Sequence, residues 1–118
     1  MMARGQAAMF GNQGRLRTWI AWMLQERRRA RAVPNAPSNL SATDNVTDVM
    51  LDWLDNSTDE TGFRVYRNEV MVAERPAGST SWDDTTVVVE QHYDYYVVAY
   101  NASGESARSN VVGVTVGA

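Results

Sequence analysis

The sequence predicts an all-β domain behind a basic N-terminal arm, and three observations carry that reading. Tyr93, Tyr95, Val97 and Ala99 recur at every second position, the period of a strand with one buried face. Ala102-Ser-Gly104-Glu-Ser106 then ends the strand with small and turn-forming residues, and a second β-rich run, Asn110 to Val116, makes a closing hairpin. Helical spacing appears before Pro34, where composition and charge also change.

The 118 residues suit one domain, and 44% hydrophobic with 21% charged residues is a globular balance. Cysteine is absent, which excludes disulfides, thiol catalysis and thiolate metal sites. Every basic residue is Arg. Residues 1–33 hold seven of the Arg and a single acid, Glu26, a formal +6; the rest of the chain is a formal −9, and together they leave −3. A basic arm on an acidic domain marks two parts suited to different environments.

In chain order, Met1 to Gly14 carries Gly5, Gly11 and Gly14 with little periodicity and reads as extended. From about Gln13 to Arg31, Leu16, Trp19, Ile20, Met23 and Leu24 fall at i, i+3, i+4, i+7 and i+8, one face of an amphipathic α-helix. About 19 residues at a rise of about 1.5 Å would make a helix roughly 28 Å long. The apolar run from Thr18 to Leu24 is too short for a membrane span, and Gln-Glu-Arg-Arg-Arg follows it where a signal peptide needs a small-residue cleavage site, so neither is expected. Pro34 and Pro37 forbid a continuing helix and predict an extended linker over 34–37. The expected domains are thus an arm (1–33), this linker and a β domain (38–118).

From Ala36 onward, successive motifs resemble the fibronectin type III family. Ala36-Pro-Ser-Asn-Leu40-Ser-Ala42 is similar to its first strand, with Leu40 and Ala42 inward; Val49-Met-Leu51-Asp-Trp53 matches the V-x-L-x-W of the second, with Trp53 the core aromatic. Glu60-Thr-Gly62-Phe63-Arg64-Val65-Tyr66-Arg67 resembles the third strand of bacterial members, Phe63 and Val65 inward, Arg64 and Tyr66 outward; Val70 to Glu74 would be the short strand after it. Ala77-Gly-Ser-Thr-Ser81-Trp82-Asp-Asp84-Thr follows the next motif, and the segment from Tyr93 to Val116 follows the last two. Val87 to His92 departs from the family's L-x-P-G-x-x in lacking Pro and Gly, while Tyr93 keeps the corner position whose hydroxyl bonds back to that connection. The resemblance, over about residues 36–116, implies a seven-stranded fibronectin type III (Ig-like) sandwich.

Chemistry-bearing motifs are few. His92 has no nucleophile or metal-ligand partner at a recognisable spacing, Asp83-Asp84 and Asp59-Glu60 read as turn and rim residues, and no phosphate-binding glycine loop occurs. No cofactor, metal or catalytic residue is expected. The Asn39, Asn45, Asn56 and Asn101 sequons would matter only after secretion. Arg27, Arg28 and Arg29, with Arg31, complement a helix C-terminus as well as they would phosphate, and the acidic domain beside them argues against nucleic acid.

Two protein-binding surfaces are expected. Burying Leu16, Trp19, Ile20, Met23 and Leu24 at roughly 1.5–3 kcal/mol each would yield about 7–15 kcal/mol before ordering costs, which favours docking of the arm onto another protein. The second is an unusually apolar outward row, Tyr96, Val98 and Tyr100 beside Tyr66 and Val111. The functional expectation is a non-enzymatic structural protein of a bacteriophage virion: virion proteins hold its arm, and the sandwich is displayed as a decoration or adhesion module toward a host-surface glycan, with neither nucleic acid nor membrane as partner. That step follows from the resemblance to bacterial members together with the missing export signal. A bacterial cell-surface or secreted carbohydrate-associated module, and a membrane-surface adaptor using Trp19 and Trp22, are the alternatives.

Overall fold

The computed structural model describes residues 32–118. The expected helix, carrying Leu16, Trp19, Ile20, Met23, Leu24, Arg27, Arg28 and Arg29, lies outside the described residues. Every regular element described is a strand: β1 (Ser38–Asp44), β2 (Val49–Leu54), β3 (Gly62–Arg67), β4 (Val70–Pro76), β5 (Ser81–Asp84), β6 (His92–Asn101), β7 (Gly104–Glu105) and β8 (Val112–Thr115). All pairings are antiparallel. One sheet runs β1-β2-β5; the other runs β4-β3-β6, with β7 and β8 both on the far edge of β6.

Alternation builds the core between the sheets. Val49, Leu51 and Trp53 from β2 meet Phe63 and Val65 from β3 and Tyr93, Tyr95, Val97 and Ala99 from β6, all buried together with Leu40 and Val116. Trp53 and Phe63 touch across the layers, ring centroids 5.7 Å apart and tilted by 56°. Gly62 is required where it stands, because a Cβ there would collide with the Arg75 carbonyl.

Eight segments appear where seven strands were expected, because the last strand is broken between β7 and β8. Across the gap, the Ser106 and Ser109 amides donate to the carbonyls of Ala99 (2.8 Å) and Val97 (2.9 Å), while their hydroxyls accept from the Ala99 and Val97 amides, each at 3.0 Å. Side-chain oxygens thus take the place of ladder carbonyls, and the Val97 and Ala99 amides are not stranded.

Next to this edge, the Asn110 side chain copies a peptide unit. Its Oδ1 accepts from the Leu40 amide at 2.8 Å and its Nδ2 donates to the Leu40 carbonyl at 2.9 Å. The β1 register shifts between Ser38 and Ser41, with Asn39 at φ 55°, and that bulge turns Leu40 from β2 toward Asn110. This amide joins β1 to the last strand's segment across one open side of the sandwich. Residues 34–37 form no regular element but are tied down: Pro34 and Pro37 are buried, and Asn56 Nδ2 donates to the Ala36 carbonyl at 3.0 Å.

The Tyr93 corner keeps its bond without Pro or Gly, the Val88 amide donating to the hydroxyl at 3.0 Å. Glu90, standing where the family has its glycine, adopts φ 73° instead.

Candidate functional site

Only the second expected surface falls within the described residues. Tyr66 on β3 and Tyr96 on β6 are register partners and stack, centroids 4.9 Å apart and planes 10° from parallel. Tyr100 lies further along the same face. Sequence alternation therefore brings Tyr66, Tyr96, Val98 and Tyr100 to one side of the sheet, as expected.

The row is nevertheless not an open apolar face. Tyr96 is only 8% exposed and Val98 3%. Arginines from β3 and from the segment between β7 and β8 cover the rings: the Arg64 guanidinium carbon sits 4.0 Å from the Tyr100 centroid, and that of Arg108 sits 4.0 Å from the Tyr96 centroid. Carboxylates lock these cations. Arg64 donates through Nε to Glu74 and through Nη1 to Glu105, each at 3.0 Å; Arg108 reaches Glu69 at 3.3 Å. The Tyr66 hydroxyl donates to Glu105 Oε2 at 2.6 Å, and this bond, with burial and the carboxylate charge, pushes the phenol up to about 12. The same hydroxyl, aided by Arg64, holds the Glu105 carboxyl below its ordinary value against the cost of burial.

Chemically, this face is a satisfied lattice of rings, guanidinium groups and carboxylates. The ring faces that a sugar would stack on are occupied at Tyr96 and Tyr100, so recognition here would run through charged edges.

Asp84 corrects the reading of Asp83-Asp84 as a rim pair. It is 0% exposed and accepts four hydrogen bonds, from Tyr95 (2.7 Å), Arg67 (2.9 Å), the Thr86 hydroxyl (2.7 Å) and the Thr86 amide (3.0 Å). Burial opposes its ionisation, but the bonds from Tyr95, Thr86 and Arg67 prevail and hold the carboxyl below its ordinary value. Arg67 also lies over the Tyr93 ring at 4.9 Å. This is a structural ion pair, fully engaged within the fold.

His92 is exposed and does have neighbours, Thr115 Oγ1 at 2.9 Å and Asp94 Oδ1 at 3.0 Å. The first contact ties β6 to β8, and the second lies within β6. Glu60 pins two turns, accepting from Ser57 Oγ at 2.8 Å and the Gly78 amide at 3.1 Å. Among the described residues no cluster of three or more His, Cys, Asp or Glu is arranged to hold a metal ion.

What sequence reasoning missed is an apolar end. Val46, Val88 and Val89 are exposed, and Val46 and Val89 both approach Gly117. The run Val87-Val88-Val89, where proline was expected, was the available signal.

No family model matches the chain. Over 75 residues it is 41% identical to an α-amylase of Niallia circulans, a stretch covering 60% of this chain and 6% of that protein. Among solved structures, a Fn3-like protein from Clostridium thermocellum superposes with a TM-score of 0.61 at 22% identity, covering 74% of this chain and 97% of that one. The FN1–FN3 domains of chicken CNTN1 give 0.65 at 14%, over 71% of this chain and 33% of theirs. A β-1,2-glucanase from Parabacteroides distasonis gives 0.62 at 26%, over 73% of this chain and 13% of its own.

Proposed function

We propose that this chain, whose described residues have the fibronectin type III fold, is a non-enzymatic display module held in a larger assembly by its basic arm. The observation that carries the reading is the break at residues 33 and 34. Before it lie seven Arg, one acid and an apolar stripe at helical spacing; after it lies an acidic sandwich whose own residues fill its core. An apolar stripe needs a cover, and a filled core supplies none without losing packing. The assembly in this reading is a bacteriophage virion, in which the arm binds other structural proteins and the sandwich faces outward, its Arg–Tyr–Glu face available to a surface partner.

The test is quantitative mass spectrometry of gradient-purified particles from a lysate of the producing culture. Recovery in fixed proportion to the other particle proteins supports the reading. Recovery only in the free protein fraction removes it.

The stretch shared with the amylase favours a second reading, an accessory module of an extracellular carbohydrate-active protein. A processed extracellular form that co-purifies with such an enzyme and is absent from particles would select it.

A further inference from the structure

The two ends of the sandwich differ. The strand directions bring the turn at 45–48, the connection at 85–91 and the C-terminal residues from Val116 to one end, since Asp44 pairs with Val49, Val49 with Asp84, and His92 with Thr115. Three valines project there: Val46, Val88 and Val89, at 52%, 58% and 49% exposure. Two of them flank Gly117, where a Cβ would stand 3.2 Å from Val89 Cγ1 and 3.8 Å from Val46 Cγ1.

The frame holding them is firm and strained. Val46, a β-branched residue, sits at φ 71°, in a region such side chains rarely adopt. Asp44 fixes it there, Oδ1 accepting from the Val46 amide at 2.8 Å and Oδ2 from the Gly117 amide at 2.7 Å. A strained backbone that pushes a valine into solvent points to something that covers it.

The rim is acidic. Asp44, Asp48, Asp83 and Glu90 lie at this end, and Arg67 is committed to the neighbouring Asp84. The Asp48 and Asp83 carboxyls stand close enough to shift each other, Asp83 above its ordinary value and Asp48 below, so negative charge is concentrated at this end.

We propose that this valine end is the docking site for the basic arm of a second copy of the chain. The proposal rests on the reading of the arm as an anchor and names what it anchors to. Complementarity has two parts. The arm's stripe of Leu16, Trp19, Ile20, Met23 and Leu24 meets the valines, and Arg27 to Arg29 meet the carboxylates. Direction supplies the rest. The chain enters the sandwich at Val33, whose Cγ1 lies 3.5 Å from where a Gly104 Cβ would be, at the end opposite Val46. Copies aligned head to tail therefore offer the arm of one to the valine end of the next, a heterologous contact that repeats into a ring or filament.

The test uses two full-length variants. One carries Val88→Asp with Val89→Asp and keeps its arm; the other carries Trp19→Asp with Ile20→Asp and keeps its valine end. Sedimentation of the wild-type chain at low salt should show self-association that falls at least tenfold in 0.5 M salt, as expected of screened charges on the order of that concentration. Each variant alone should be monomeric. Mixed, they should form a 1:1 heterodimer, because one intact arm and one intact valine end remain. Val88→Ser with Val89→Ser, which adds no charge, should behave like the Asp pair and guards against unfolding. A monomeric wild type, or a mixture that stays monomeric while both variants show native circular dichroism, overturns the proposal. If the arm is still required for incorporation into particles in that case, its partner is another protein and the anchoring reading survives alone.

Discussion

Replacing Asp84 by Ala should be the most damaging small change in the β5–β6 region. The carboxylate is fully buried and holds Arg67, whose side chain is 22% exposed, together with the hydroxyls of Tyr95 and Thr86. Removing it leaves a largely desolvated guanidinium without its counter-charge and a buried phenol without an acceptor. Breaking one side of such a pair costs about 3–5 kcal/mol. For a domain of this size that is a fall in Tm of about 12 °C or more. The assay is urea denaturation of wild type and variant, followed by tryptophan fluorescence. The pH dependence has a definite sign. The folded-state carboxyl lies below its ordinary value of 3.8, so its contribution is fully present above about pH 4 and is lost as pH falls through the depressed folded value. Asp84→Asn should therefore flatten the acid limb of the stability profile below pH 4. A loss under about 1 kcal/mol on Asp84→Ala, with an unchanged acid limb, would refute the view that the network holds β3, β5 and β6 together.

Three further outcomes are expected, each read from equilibrium denaturation. Tyr93→Phe should cost about 1–2 kcal/mol, because the Val88 amide loses its acceptor; unchanged stability would mean water replaces the hydroxyl. Glu90→Gly should stabilise by about 1 kcal/mol, since φ 73° strains any residue with a Cβ, and a loss would show that the Glu90 side chain has an unrecognised role. Ser109→Ala should cost about 1–3 kcal/mol by stranding the buried Val97 amide, with faster amide exchange at Val97; an unchanged exchange rate would mean the hydroxyl is dispensable.

The strands were legible where one residue type at a fixed spacing settles the face. Val49, Leu51 and Trp53, then Phe63 and Val65, then Tyr93, Tyr95, Val97 and Ala99 all point inward, and a period of two is enough to say so. Burial on the outer face was not legible. Alternation placed Tyr96 and Val98 outside, but Arg64 from β3 and Arg108 from the segment between β7 and β8, held by Glu74, Glu105 and Glu69, cover that face. Asp84 escaped for the same reason. Beside Asp83 it looks like turn chemistry, and only tertiary pairing brings Arg67 and Tyr95 to it. The breaks at Ser106 and Ser109 were hidden because a hydroxyl standing in for a ladder carbonyl leaves the β-rich pattern around it intact. At the valine end the run Val87-Val88-Val89 was visible, but the backbone angles at Val46 and Glu90 that shape it were not.

The central claim is that the arm holds the protein in its assembly while the sandwich stands by itself. It is tested most directly by expressing tagged full-length chain and tagged residues 33–118 in the producing host and measuring both in purified particles. The shortened chain should melt within about 1 kcal/mol of the full-length protein and be absent from particles that contain the full-length form. Incorporation of the shortened chain at the full-length level would contradict the account.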